Sequence, residues 1–151
     1  MSLEQEFELI RRVPIFSTTD PSMQKLLAFS SDRLTYEAGQ LMFSAGDAPD
    51  SAYIVMEGEV DITVPTPKGQ LLVNTLARND VIGEIGIFGD VPRTATATAR
   101  TKVDVLRISR DVFVNVIRSN PDAAIALVRI LADRLAKTTA QLRRMAAETS
   151  K

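Results

Sequence analysis

The alternation of hydrophobic and polar positions changes period twice along the chain. Residues 3–12 (LEQEFELIRR) are polar with spaced apolar positions, the pattern of a short amphipathic helix. Val13-Pro14-Ile15-Phe16 ends it, because Pro14 disfavours helical backbone at Val13. A second helix is predicted from Ser17 to Ser30, with Asp20 suited to the N-cap and Pro21 to the first helical position. From Arg33 the period becomes two, over short runs RLTYE, QLMFS, SAYIVME, GEVDITV, QLLVNTLA, TATATA and KVDVLRIS. Turn residues separate them at Ala38-Gly39, Ala45-Gly46-Asp47, Glu57-Gly58, Pro65 to Gly69 and Arg78-Asn79-Asp80. Many short strands at this spacing predict a sandwich, jelly roll or small barrel. The helical period returns at Ser109, a good N-cap, and runs to about Ser119. Asn120-Pro121 then opens a last helix from Asp122 to about Met145.

Composition narrows the chemistry. The chain has 151 residues, is 45% hydrophobic and 25% charged, and carries a net charge of −1. That is enough apolar material for one core and no basic field to draw nucleic acid or an anionic membrane. There is no Cys and no His. Disulfides, thiolate nucleophiles and cysteine-ligated metals are thereby excluded, and so are most triads and transition-metal sites that depend on imidazole. Carboxylate catalysis and oxygen-ligated Mg²⁺ or Ca²⁺ stay open. No apolar run approaches the ~18 residues that span a bilayer. With no signal peptide visible either, a cytoplasmic protein that is not an enzyme is expected, with no metal and no cofactor.

The stretch Ile82 to Ala99 (IGEIGIFGDVPRTATATA) holds the candidate site. Gly83, Gly86 and Gly89 let backbone N–H groups approach an anion. Arg93 offers a planar fork suited to phosphate, and the small residues after it leave room beside a strand. Glu84, when ionised, only accepts hydrogen bonds and so suits a ligand hydroxyl. An anion site beside a hydroxyl acceptor fits a sugar phosphate. The same residues also fit a plain glycine turn and a surface ion pair.

This stretch resembles the phosphate-binding cassette of cyclic nucleotide-binding domains through Gly83, Glu84, Ile85, Gly86, Ile87, Pro92, Arg93, Thr94, Ala95 and Thr96. Upstream, Gly39, Phe43, Gly46, Asp47, Asp50, Tyr53, Ile54, Val55, Gly58 and Val60 resemble the first β-roll signature of that family, and Val13-Pro14-Ile15-Phe16 its N-terminal helical motif. The resemblance spans roughly residues 9 to 142. It implies an α+β, mainly β fold: a jelly-roll, or double-stranded β-helix, β-roll flanked by N-terminal helices and C-terminal helices. Residues 1–151 are expected to form a single cyclic nucleotide-binding domain, with the β-roll at about 33–109 and C-terminal helices at about 110–147, and no DNA-binding domain. The ligand implied is cyclic AMP or cyclic GMP. Arg93 would grip the cyclic phosphate, Glu84 would take the ribose 2′-hydroxyl, and backbone N–H groups around Ile85, Gly86 and Thr94, between Gly83 and Ala95, would complete the cradle.

In the last helix Val128, Ala132, Leu135, Thr139, Leu142 and Ala146 recur at alternating spacings of four and three, a heptad seam. Leu127, Ile130, Leu131 and Arg134 form a second stripe, directed at the β-roll. Two stripes predict two partners, the chain's own roll and a second copy of the helix, so a homodimer through Val128, Leu135 and Leu142 is expected. If the chain resembles the bacterial catabolite-activator branch, Thr138 would hold the adenine amino group and Thr139 would reach across from the other subunit. Thr94, directly after Arg93, is a guanine-favouring feature in cyclic-GMP-dependent kinases and also occurs in channels that prefer cyclic AMP. The balance leans to cyclic AMP. The expected function is a regulatory sensor whose ligand moves the C-terminal helix. The alternative is a ligand-free dimerisation scaffold; a cupin-type enzyme lacks the histidines it needs.

Overall fold

The structure, a computed structural model, describes residues 2–149. Helix α1 (Leu3–Arg12) starts with a reciprocal cap between Ser2 and Gln5. Helix α2 (Pro21–Ser30) starts later than its apolar pattern predicts, because the Asp20 carboxylate accepts from the Ser22 N–H and fixes the first turn there. Eight strands follow: β1 (Asp32–Tyr36), β2 (Leu41–Phe43), β3 (Ser51–Glu57), β4 (Val60–Thr66), β5 (Gly69–Leu76), β6 (Val81–Ile82), β7 (Thr96–Ala99) and β8 (Val103–Ser109). Helix α3 (Glu84–Gly89) lies between β6 and β7. Helices α4 (Arg110–Ser119) and α5 (Pro121–Thr149) close the chain.

The strands form two antiparallel four-stranded sheets, in the orders β1-β8-β3-β6 and β2-β7-β4-β5. This is the α+β β-roll with terminal helices. Alternation along the central strands explains how one sheet serves two cores. On β3, Ala52, Ile54 and Met56 face the helices, where they pack with Ile10, Phe16, Leu27, Phe113 and Leu127. Tyr53 and Val55 point the other way, into the space between the sheets, with Phe43, Val60, Leu76 and Ile82. On β8, Leu106 and Ile108 join the first core, and Val103 and Val105 join the second. The helical core therefore grips the back of the sheet whose opposite side meets the candidate site.

Tight approaches hold the turns. At Gly58 (φ +93°) a Cβ would collide with the Lys102 carbonyl oxygen, so only glycine fits between β3 and β4. The two-residue strand β6 pairs with Tyr53 and Ile54 and delivers the chain to Gly83. Helix α5 extends past the predicted Met145, and its inner face holds Ala123 and Leu127 buried, with Ile130 and Leu131 half-buried behind them. The seam residues Val128, Leu135 and Leu142 are exposed on the single chain. No helix among the described residues is long and apolar enough to cross a membrane.

Candidate functional site

Gly83 carries a left-handed backbone (φ +94°) at the N-cap of α3, turning Glu84 inward from the end of β6. A Cβ there would strike Arg93 Nη1, so glycine is what lets the arginine lie against the chain. The loop after α3 is tied to the Ala45-Gly46-Asp47 turn by two backbone bonds, Arg93 N–H to the Asp47 carbonyl and Gly46 N–H to the Arg93 carbonyl, each 2.8 Å. The Ala45 N–H also donates to Thr96 Oγ1 at 3.0 Å. The two sequence signatures, some forty residues apart, thus meet around one arginine.

Arg93 is buried. Its Nη1 donates to the Gly83 carbonyl at 2.8 Å and its Nη2 to the Ser51 carbonyl at 2.6 Å. Asp50 Oδ1 stands 3.7 Å away, and the guanidinium lies 4.3 Å from the centre of the Phe43 ring, a cation–π contact. Its Nε has no partner. Burial pulls the Arg93 pKa down, against the opposing fields of Tyr53, Asp50, Asp47 and Glu84.

Glu84 is buried to 1% exposure. Its Oε1 accepts from Arg134 Nη1 of α5, while Oε2 has no partner. Arg134 also donates from Nη2 to the Val81 carbonyl at 2.7 Å. Burial raises the Glu84 pKa above the ordinary carboxylate range despite the nearby Arg134.

These groups meet around a cavity of about 60 Å³. Phe43, Ile62, Leu76 and Ile82 supply its apolar wall, and Gly83, Glu84, Ile85, Gly86, Arg93, Thr94, Ala95 and Arg134 the rest. All seven residues singled out between Gly83 and Ala95 are therefore brought together. Thr138 and Thr139 are not among the lining residues. Each hydroxyl instead donates back along its own helix at 2.9 Å, to the carbonyls of Arg134 and Leu135. Arg134, the cation of the roll-facing stripe to which the sequence gives no role, pairs with the buried Glu84.

A two-sheet roll with an arginine and a glutamate buried beside a glycine-bounded cavity defines a class of ligand-sensing domain. The chain belongs to the cyclic nucleotide-binding domain family, whose model matches residues 33–120. It is 32% identical over 136 residues to a CRP-like cAMP-activated global transcriptional regulator of Mycobacterium tuberculosis, across 89% of this chain and 61% of that protein. It is 34% identical over 104 residues to a cAMP-dependent protein kinase regulatory subunit of Yarrowia lipolytica, across 69% of this chain and 27% of that one. The chain thus spans about three fifths and about a quarter of these two relatives. Among solved structures it is similar to the sensor domain of the transcriptional regulator DNR from Pseudomonas aeruginosa, with a TM-score of 0.78 and 25% identity, across 88% of this chain and 90% of that domain.

Proposed function

We propose that the chain is a sensor that binds a cyclic nucleotide, cyclic AMP in preference to cyclic GMP, and that the ligand moves α5. The observation that carries this is the pair of buried, incompletely satisfied ionic groups, Arg93 Nε and Glu84 Oε2, on one cavity. Buried polar atoms without partners are uncommon, and a cavity that collects two of opposite charge fits a ligand bearing both an anion and a hydroxyl. Arg93 takes the cyclic phosphate and Glu84 the ribose 2′-hydroxyl. Backbone N–H groups near Ile85, Gly86 and Thr94 close around the phosphate.

Arg134 is then the group the ligand displaces. In the conformation described it holds one Glu84 oxygen, and the remaining space is far below the roughly 300 Å³ at which small-molecule pockets begin. Admission of a nucleotide requires the Arg134 side chain to leave, which releases α5 from its ties to Glu84 and the Val81 carbonyl and frees it to shift. A ligand moves that equilibrium only by binding the shifted state more tightly. Thr138, one turn beyond Arg134, is then carried toward the base. The cAMP activation in the name of the mycobacterial relative supports the adenine preference. The chain works in the cytoplasm, has no catalysis of its own and takes no metal.

Calorimetric titration of refolded, ligand-stripped protein with cyclic AMP and cyclic GMP tests this. Saturable binding of one nucleotide per chain is expected, tighter for cyclic AMP. Arg93→Leu removes a hydrogen bond to a charged group and is expected to weaken binding about ten- to a hundredfold or more. No heat with either nucleotide, together with no rise in melting temperature, would favour the second reading. That reading, a ligand-independent dimerisation scaffold, rests on the exposed Val128, Leu135 and Leu142.

A further inference from the structure

Two guanidinium groups converge on Asp50 and Ser51 at the start of β3. Arg93 comes from the loop after α3, donating to the Ser51 carbonyl and facing Asp50 Oδ1. Arg107 comes from β8, where its backbone is in register with Tyr53. Its Nε donates to Ser51 Oγ at 3.2 Å, and its Nη2 stands 3.5 Å from Asp50 Oδ2. The Ser51 hydroxyl completes the ring by donating to Asp50 Oδ1 at 2.9 Å. Ser51 is fully buried, so both its hydroxyl and the carbonyl that anchors Arg93 are fixed points.

We propose, resting on the cyclic-nucleotide reading above, that Arg107 is a positioning residue for the anion site. It takes one oxygen of Asp50 and the Ser51 hydroxyl, and so leaves more of the Arg93 charge to a phosphate. The sharing of Asp50 carries the argument. Asp50 stands 3.7 Å from Arg93 and 3.5 Å from Arg107, so its one negative charge is divided between two guanidinium groups. Without Arg107 that charge faces Arg93 alone, and an anionic phosphate approaching the Arg93 guanidinium meets the field of an unshared carboxylate. Arg107 stays partly exposed at the rim, so its effect passes through Asp50 and Ser51 and needs no contact with the ligand.

Calorimetry on variants of the 151-residue chain tests this with cyclic AMP and cyclic GMP as probes. Arg107→Gln is expected to weaken the tighter nucleotide about three- to tenfold, with Arg107→Lys keeping most of the affinity. Adding Asp50→Asn to Arg107→Gln is expected to restore affinity to within about twofold of wild type, because the competing carboxylate is gone. A merely structural Arg107 would leave the double variant as weak as the single or weaker. That result, or wild-type affinity in Arg107→Gln, overturns the proposal. If Arg107→Gln lowers the melting temperature of the ligand-free chain, Arg107→Lys decides: a cation without the fork must recover most of the affinity, and failure to do so overturns it. A wild type that binds neither nucleotide overturns the underlying cyclic-nucleotide reading, a result visible before any variant is made.

Discussion

Glu84 shows how a buried acid and its partner divide a site. Its carboxylate faces Arg134 on one oxygen and an apolar-walled cavity on the other, and burial outweighs the arginine in setting its proton affinity. A folded-state pKa above the unfolded value means that the native chain binds more protons through that window. Stability from this group is then fully present below the unfolded carboxylate pKa of about 4.3, and is lost as pH rises through the folded value. In the ligand-free protein, the melting temperature of wild type relative to Glu84→Gln is therefore expected to fall as pH increases from the ordinary carboxylate range toward neutral. Thermal melts of the two proteins across that range check it; a difference that stays flat or grows with pH contradicts the assignment. Arg93 stands in the opposite position, a cation held by carbonyls. Its two backbone acceptors fix the direction of the fork and, being neutral carbonyls, do not themselves cancel its charge.

At the scale of elements, α4 couples the parts. Phe113 meets Phe16 edge-on at 6.1 Å between ring centres and Phe88 of α3 at 5.5 Å, so one side chain touches the N-terminal turn and the cassette helix together. Truncating it leaves a fully buried cavity, and Phe113→Ala is expected to cost about 3–5 kcal/mol in chemical denaturation, with little change in the denaturant slope. How far the elements were legible in the sequence follows from their range. Helices α1 and α4 and the longer strands announce themselves by period and caps, and the run from Gly83 to Ala95 is local, so its residues could be read as one site. Strand β6 is two residues long and below any period. Arg134 lies fifty residues from Glu84, and Arg107 fifty-six from Ser51. Such pairings are set by which strands neighbour each other, and local pattern holds no record of that. Thr138 and Thr139 were placed by resemblance, and on the helix described they bond to their own backbone.

For the whole molecule, the exposed side of α5 is a feature that a single chain leaves unexplained. Val128, Leu135 and Leu142 are 64%, 67% and 55% exposed along a helix of 29 residues. A heptad stripe of this kind on the side opposite the roll fits a parallel partner helix. The pair of substitutions Leu135→Glu and Leu142→Glu is expected to convert a dimer to a monomer in light scattering while leaving the melting of the roll nearly unchanged. A monomeric wild type at the same concentration would remove the seam from consideration. The small cavity has a consequence in time as well as in space. With about 60 Å³ free and Arg134 seated on Glu84, a nucleotide meets a shut door on most encounters. Observed binding rates in a rapid-mixing experiment should then climb with nucleotide concentration only at first and level off at the frequency with which the arginine lets go. The response speed of such a sensor would be written into the lifetime of one ion pair, whatever the abundance of its signal.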